Sequence, residues 1–355
     1  LLCYGMLFWL VLRGALREKR AKRFLAAVAV WSTLLAVFGL AAHLGGRNPV
    51  LGDDLTSGSL SASFVNRNHY ATYAVFGLLA NLAVFLGHVS RHRTRGGGVI
   101  VTDFLGSFFR TGWLFFFGAV LCLAALVLTQ SRAGVAAGLI GLGVMLSVPR
   151  RNHAAAGPVP GIILAAGLGA VALTLSSGVL ARFLVTGTED LRFTVYPEII
   201  AGILDRPWLG HGVGAFHDTF RARVPVEAAS GEWDAAHSSY LENAYELGVP
   251  AAVALYGALG LIGVRLLRGV RSRARAVGLP ACALGSLAAA AFHASVDFSF
   301  QIPAVSAMFA ALLAIGWAQA FSSAELGRSA DPDRRAPCPA GTPAPGTRGG
   351  ADHAS

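Results

Sequence analysis

Apolar runs recur along this chain, most of them about 18–22 residues long, the length an α-helix needs to cross roughly 30 Å of hydrocarbon. They occupy residues 1–12, 24–43, 69–89, 111–130, 135–148, 160–180, 241–267, 279–296 and 302–321. Only 14% of the residues are charged, against roughly 25% in a soluble domain. The fold class is therefore all-α, a polytopic transmembrane helical bundle of about nine spans. The chain opens inside an apolar run, so the expectation is that further spans precede residue 1. Residues 1–321 read as one transmembrane domain, and the Pro/Gly/Ala-rich tail 322–355 reads as disordered and cytoplasmic. The four cysteines, Cys3, Cys122, Cys282 and Cys338, have no metal or redox spacing and read as small apolar residues.

Loop charge sets the topology. Most of the 29 Lys and Arg fall after residues 12, 90, 149 and 264 and in the tail. Lys/Arg-rich loops stay cytoplasmic. The loops at 44–68, at Arg132, at 181–240 and at Asp297 then face the other side, and the alternation holds through every span. The net charge of +10 is thus a topology signal, and nucleic-acid binding is not its reading. The segment 99–110 reads as a short interfacial stretch.

The long polar segment 181–240 is where chemistry has room. It carries Arg192, the run Pro207-Trp208-Leu209-Gly210-His211-Gly212-Val213-Gly214, and His237 just before the next apolar run. An arginine on the translocated side works against insertion, so it needs a reason. Arg132 sits in the turn Ser131-Arg132-Ala133-Gly134 between two spans. A guanidinium there binds phosphate oxygens bidentately or anchors lipid headgroups; position alone leaves both open. Arg192 follows Glu189 and Asp190, so a surface ion pair competes with a ligand role. The glycines of 210–214 do not follow a strand, which makes a dinucleotide loop a weak reading.

Histidine is the natural general base near neutral pH, and His211, His217 and His237 lie in this segment. No HExxH or comparable spacing makes them a zinc site. Ser238 or Ser239 reads as the cap of the following helix, with Glu242 in its first turn, where an acid is favoured. His293 and Asp297, four residues apart, share a face if the helix continues through them. Such a pair at a membrane surface either serves a site or locks the terminal hairpin.

Five motifs stand in one order: Ser63-Phe64-Val65-Asn66-Arg67-Asn68-His69-Tyr70-Ala71; the Ser-Arg-Ala-Gly turn; Arg192 followed by the Pro-Trp-Leu-Gly-His-Gly run; His237-Ser238-Ser239-Tyr240-Leu241-Glu242; and His293-Ala294-Ser295-Val296-Asp297-Phe298. Over roughly residues 61–303 this pattern resembles the O-antigen ligase and O-antigen polymerase family of bacterial inner-membrane glycosyltransferases. The resemblance implies metal-independent transfer at the periplasmic face, without a cofactor, from a glycan on undecaprenyl pyrophosphate to an acceptor hydroxyl on a glycan, lipid or protein. It makes His237 the base and Arg192 and Arg132 the pyrophosphate ligands. It also makes Asn66, Asn68, His211, Tyr240, His293 and Asp297 candidates for substrate binding. The family often has Asn where this chain has Ser238, and Gly where it has Ala62-Ser63. Ligase and repeat-unit polymerase therefore both stay open, with a lean to ligase. A transporter of lipid-linked sugars is the reading from another class; it would show internal repeats with paired broken helices, and no such repeat is present.

Overall fold

The computed structural model describes residues 2–50, 58–92, 112–147, 192–228, 233–272 and 276–321. The loop acids Asp53 and Asp54, the interfacial segment 99–110, the span 160–180 and the tail lie outside the described residues, as do Glu189 and Asp190 beside Arg192. Among the described residues there are eleven α-helices and no strand. They are α1 (Leu2–Ala15), α2 (Glu18–Leu44), α3 (Arg67–His92), α4 (Trp113–Leu128), α5 (Arg132–Ser147), α6 (Arg192–Asp205), α7 (Phe216–Phe220), α8 (Ser239–Leu247), α9 (Val249–Ser272), α10 (Gly278–His293) and α11 (Pro303–Ala318).

Among the described residues, three helices are long and apolar enough to cross a membrane: α2, α3 over Arg67–His88, and α9. They differ in where the apolar side chains point. The apolar window of α3 is 89% buried, whereas those of α2 and α9 are only 28% and 11% buried. Helix α3 is therefore the axis of the bundle, packed on α2, α4, α5 and α10. Helices α2 and α9 turn apolar residues such as Trp31, Leu34, Val253 and Leu261 outward, as a lipid-facing surface requires. The shorter apolar helices α1, α4, α5, α10 and α11 rise only about 1.5 Å per residue. At 14–16 residues they need flanking residues to span a full hydrocarbon layer.

Hairpin geometry sorts the chain into two ends. Helices α4 and α5 are joined by Thr129-Gln130-Ser131, and Leu60 N–H donates to Leu128 O at 2.9 Å, which brings the loop before α3 to that turn. The Gln130 amide also donates to Gly58 O at 2.9 Å. Thr72 of α3 reaches His293 at the end of α10. One end thus gathers the start of α3, the α4–α5 turn, the α10–α11 turn and α8. At the other end the Gln319 amide donates to Ala15 O and Leu16 O, where Arg13, Arg17, Lys19, Arg20, Lys22 and Arg23 cluster. The basic cluster at residues 13–23 and the turns that carry the motifs therefore sit at opposite ends.

Two expected spans end differently. The apolar run 241–267 is not one helix: it breaks at Gly248, whose φ is +81°, into α8 and α9. Residues 207–212 lie across the break, with His211 N–H donating to Tyr245 O, Gly212 N–H to Glu246 O and Val249 N–H to Pro207 O at 2.8–3.0 Å. Here glycine is required on both sides. A Cβ on Gly248 would stand 2.5 Å from Trp208 O, and one on Gly210 would stand 2.3 Å from Glu246 O. The second correction concerns 279–296. Helix α10 stops at His293, and the backbone then turns through a short 3-10 segment, Ser299–Gln301, before α11. His293 and Asp297 therefore do not share a helix face.

The polar segment between α6 and α8 has a small core of its own: Val195, Ile199 and Ile203 of α6 against Phe216, Phe220 and Tyr245. Residues 195, 199 and 203 repeat every four positions, so they form one stripe on α6.

Candidate functional site

The site grows from Asp297, whose side chain is 1% exposed. A buried carboxylate persists only with partners. Ser299 Oγ donates to Oδ2, and the Asn68 amide reaches Oδ1 at 3.4 Å. Thr72 Oγ donates to Ser299 Oγ at 2.9 Å and lies 2.6 Å from His293 Nδ1. Each hydroxyl has one hydrogen to give. A single direction satisfies the chain: His293 Nδ1–H to Thr72, Thr72 to Ser299, Ser299 to the carboxylate. That direction assigns His293 the Nδ1–H tautomer. His69, on the same turn of α3, places Nε2 3.9 Å from Asp297 Oδ2, beyond hydrogen-bond reach.

His237 comes to this cluster through Phe298. The Phe298 ring meets His69 edge-on at 4.6 Å between centroids and His237 edge-on at 5.1 Å. Trp233 also meets the His237 ring edge-on, at 5.8 Å between centroids. The backbone of His237 holds φ at +49°, a region non-glycine residues seldom occupy and one that clusters at functional sites. Four hydrogen bonds fix this turn. Tyr196 OH donates to His237 O at 3.3 Å, and Ala236 N–H donates to Glu242 Oε2 at 2.9 Å. Ser239 N–H and Oγ bond Asp297 O at 3.2 and 3.0 Å.

Ser238 is the N-cap of α8, accepting from Leu241 N–H at 3.5 Å, as the sequence pattern suggested. Glu242 does more than complement the helix dipole. Its carboxyl is buried, and burial pushes its pKa up from 4.5 to about 7; the Ala236 N–H pulls the other way, and Glu246 and Asp297 add to the rise. It lies in α8, ahead of the apolar helix α9.

The other motif residues take definite places. Asn66 Oδ1 accepts from Asn68 N–H at 2.8 Å, closing the turn that starts α3, so Asn66 shapes the site and Asn68 enters it. Tyr240 OH donates to Ala291 O at 2.8 Å and its ring packs on Tyr256 at 4.6 Å, tying α8 to α10; burial raises its pKa. Arg132 is half-buried at the first position of α5. Ser131 Oγ accepts from Gly134 N–H at 3.1 Å, and a Cβ on Gly134 would stand 2.6 Å from that of Ala71. The start of α5 is thus pressed against the turn of α3 that carries Asn68, His69 and Thr72. Arg192 opens α6, one turn before Tyr196, whose hydroxyl bonds His237 O.

The remaining loop histidines are drawn elsewhere. His211 stacks on Tyr245 at 4.1 Å and its Nε2 pairs with Gly202 O at 2.9 Å. It stitches the 207–212 crossing to α6 in the small core, and the structure does not bring it to Asp297. His217 pairs with Asp234 at 2.9 Å on the exposed surface. Residues that sequence reasoning passed over are Thr72, Ser299 and Phe298, together with Glu242 in its buried role. His69 stood inside a quoted motif without an assigned part. None had a local signal, because each acquires its place from a partner more than a helix away or across a turn.

Comparison with known proteins bears on this end of the molecule. The model of the O-antigen ligase family matches residues 117–256, from within α4 through α8 to the first turns of α9. No curated protein sequence matches the chain. The matched stretch contains Arg132, Arg192, His211, His237 and Tyr240, while the Asn68 and Asp297 motifs lie outside it and meet it in space. The likeness to the O-antigen ligase family thus rests on residues 117–256.

Proposed function

We propose that this protein is a membrane glycosyltransferase moving a glycan from undecaprenyl pyrophosphate to an acceptor hydroxyl at the periplasmic face. The observation that carries the reading is the meeting at Phe298 and Asp297 of three motifs far apart in sequence. His237 comes from the segment before α8, Asn68 and His69 from the start of α3, and Asp297 and His293 from the α10–α11 turn. The family match supports the class of reaction. Separation of this end from the basic end supports a periplasmic site under the positive-inside rule.

In the proposed reaction His237 removes a proton from the acceptor hydroxyl as that oxygen attacks the anomeric carbon. The bond to the pyrophosphate oxygen breaks with its electron pair, so undecaprenyl pyrophosphate leaves and the anomeric configuration inverts. Arg132 and Arg192 receive the negative charge that grows on the leaving group. Guanidinium groups supply this stabilisation in place of a metal ion, which makes the transfer metal-independent. The edge-on contact between His237 and Phe298 and the pinned 236–239 turn hold the base in one orientation; the Asp297 network fixes the floor beneath it. One transmembrane domain over residues 1–321, with about nine spans in the bacterial inner membrane, holds the site, and an acceptor such as lipid A–core sugar completes it.

The test is transfer in vitro from a purified undecaprenyl-pyrophosphate glycan, with EDTA present, by the full chain and by His237→Ala and Arg192→Ala variants. Transfer by wild type with EDTA, lost in both variants and inverted at the anomeric carbon, is the expected result. Full activity in His237→Ala would overturn the base assignment, and full activity in Arg192→Ala the leaving-group clamp. The labelled acceptor distinguishes a ligase from a repeat-unit polymerase of the same family.

A further inference from the structure

The Pro-Trp-Leu-Gly-His-Gly-Val-Gly run crosses the α8–α9 break and turns His211 inward onto Tyr245, but it leaves its large apolar side chains outside. Trp208 is 75% exposed, Leu209 86% and Val213 80%. Helix α6 continues the same surface. Its stripe at 195, 199 and 203 is buried in the small core, while Ile200 and Leu204, one residue and about 100° further round, point outward and are exposed. Among the described residues nothing covers this patch. Isolated exposed apolar residues are ordinary, but Leu204, Trp208 and Leu209 follow one another along a short stretch, and a contiguous patch marks an interaction surface.

Its position says what covers it. Val249 N–H donates to Pro207 O at 2.8 Å, so Trp208 stands at the N-terminal end of α9. Helix α9 is the least buried of the three candidate spans, and its outward residues Val249 and Val253 begin the apolar face at that end. The patch is thus continuous with a lipid-facing surface. Its composition fits the boundary between headgroups and acyl chains. A tryptophan stands at its centre, as in the aromatic belts of membrane proteins, and the exposed Arg206 two residues earlier is within reach of phosphate.

We infer that the 204–213 edge of the polar segment docks into the outer boundary of the bilayer, with phospholipid as its partner. This docking holds the small core, and with it Tyr196 and the His237 turn, at a fixed height above the membrane. The inference rests on burial and position and does not require glycosyl transfer.

The experiment places a nitroxide at position 209 (L209C) of the full chain, with Cys3 and Cys338 replaced by serine. Cys122 and Cys282 are buried and stay. The protein is reconstituted in nanodiscs of phosphatidylethanolamine and phosphatidylglycerol, and collisions with oxygen and with a water-soluble nickel chelate are measured by power-saturation EPR. The expected oxygen-to-nickel ratio is several-fold above that of a label at the exposed position 221 (R221C). A second label at position 213 (V213C) repeats the measurement where the side chain also contacts little. Nickel collisions dominating at both 209 and 213 would show the patch in water and overturn the inference. Exclusion of both relaxants would show a protein cover, either residues 160–180 of this chain or a second copy, and overturn it equally. Glycosyl transfer measured on the same samples reports on the reaction separately.

Discussion

Two clusters of buried polar side chains lie in this bundle, and they are built for different ends. Midway along α3, Asn81 is 1% exposed. Its amide donates to Ala29 O at 3.1 Å and Gly77 O at 2.9 Å, and Thr33 reaches its Oδ1 at 3.3 Å. Every partner is helix backbone, of α3 itself or of α2, or a neutral side chain. The cluster at the end of α3 is equally buried but contains a carboxylate, two histidines and two hydroxyls, and a half-buried third histidine faces it across Phe298. The first arrangement spends its polar capacity on joining helices α2 and α3. The second retains groups that change protonation and lies where the helices end. Polarity inside a membrane bundle does not by itself mark a site; titratable groups reached from several segments at a helix end are what the proposed reaction needs.

The sharpest way to break this comparison is at His237. Asn tolerates positive φ better than most residues, so His237→Asn keeps the turn and removes the base. Transfer should fall about 10²–10⁴-fold with Tm unchanged; a variant of full activity would reduce the cluster to packing. Asp297→Asn should harm both properties. One amide oxygen cannot accept from Ser299 and Asn68 as two carboxylate oxygens do, and the new NH₂ meets a donor. Loss of about 1–3 kcal/mol of stability should accompany a drop in transfer per folded molecule, read from activity normalised to monodisperse protein.

Asn81 supplies the control. Asn81→Leu should cost about 1–2 kcal/mol, the scale of an interhelical hydrogen bond in a membrane, visible as a lower Tm in detergent. Transfer per folded molecule should not change. If Asn81→Leu lowered transfer as much as Asp297→Asn does, the two clusters would be energetically one and the distinction above would fail.

What was legible in the sequence follows the same division. The helices around residues 24–43, 69–89, 111–130 and 302–321 could be placed because lipid imposes long apolar runs, and the Ser238 cap because capping is local. The break at Gly248 was hidden inside an unbroken apolar run; it depends on residues 207–212 crossing it, through bonds whose partners lie far apart in the chain, such as Pro207 and Val249. The i,i+4 reading of His293 and Asp297 assumed a helix that in fact ends at His293. The two residues do share a cluster, but through Thr72 and Ser299. His211 looked like its neighbour histidines in sequence, and only the stacking partner Tyr245 separates it from them. The burial of Glu242 likewise comes from elements that no window around position 242 contains.

Glu242 gives the smallest effect and the most specific one. In an unfolded chain its carboxyl titrates near its ordinary 4.5; in the folded protein burial delays ionisation to about 7. The folded state therefore binds the proton more tightly. The resulting stabilisation is fully present below about 4.5 and is lost as pH rises through about 7. Glu242→Gln removes the titration and keeps an oxygen to accept from Ala236 N–H. The Tm of Glu242→Gln relative to wild type should therefore climb between pH 4.5 and 7 and level off above. Its transfer activity above pH 7 should stay within a few-fold of wild type, because the turn holding His237 is intact. Glu242→Ala should share the flattened pH dependence of stability yet lose about 10-fold in transfer, since Ala236 N–H then has no acceptor and His237 is no longer held at φ +49°. Equal transfer by the Gln and Ala variants would show that Glu242 does not position the base, leaving Tyr196 and Ser239 to hold the turn.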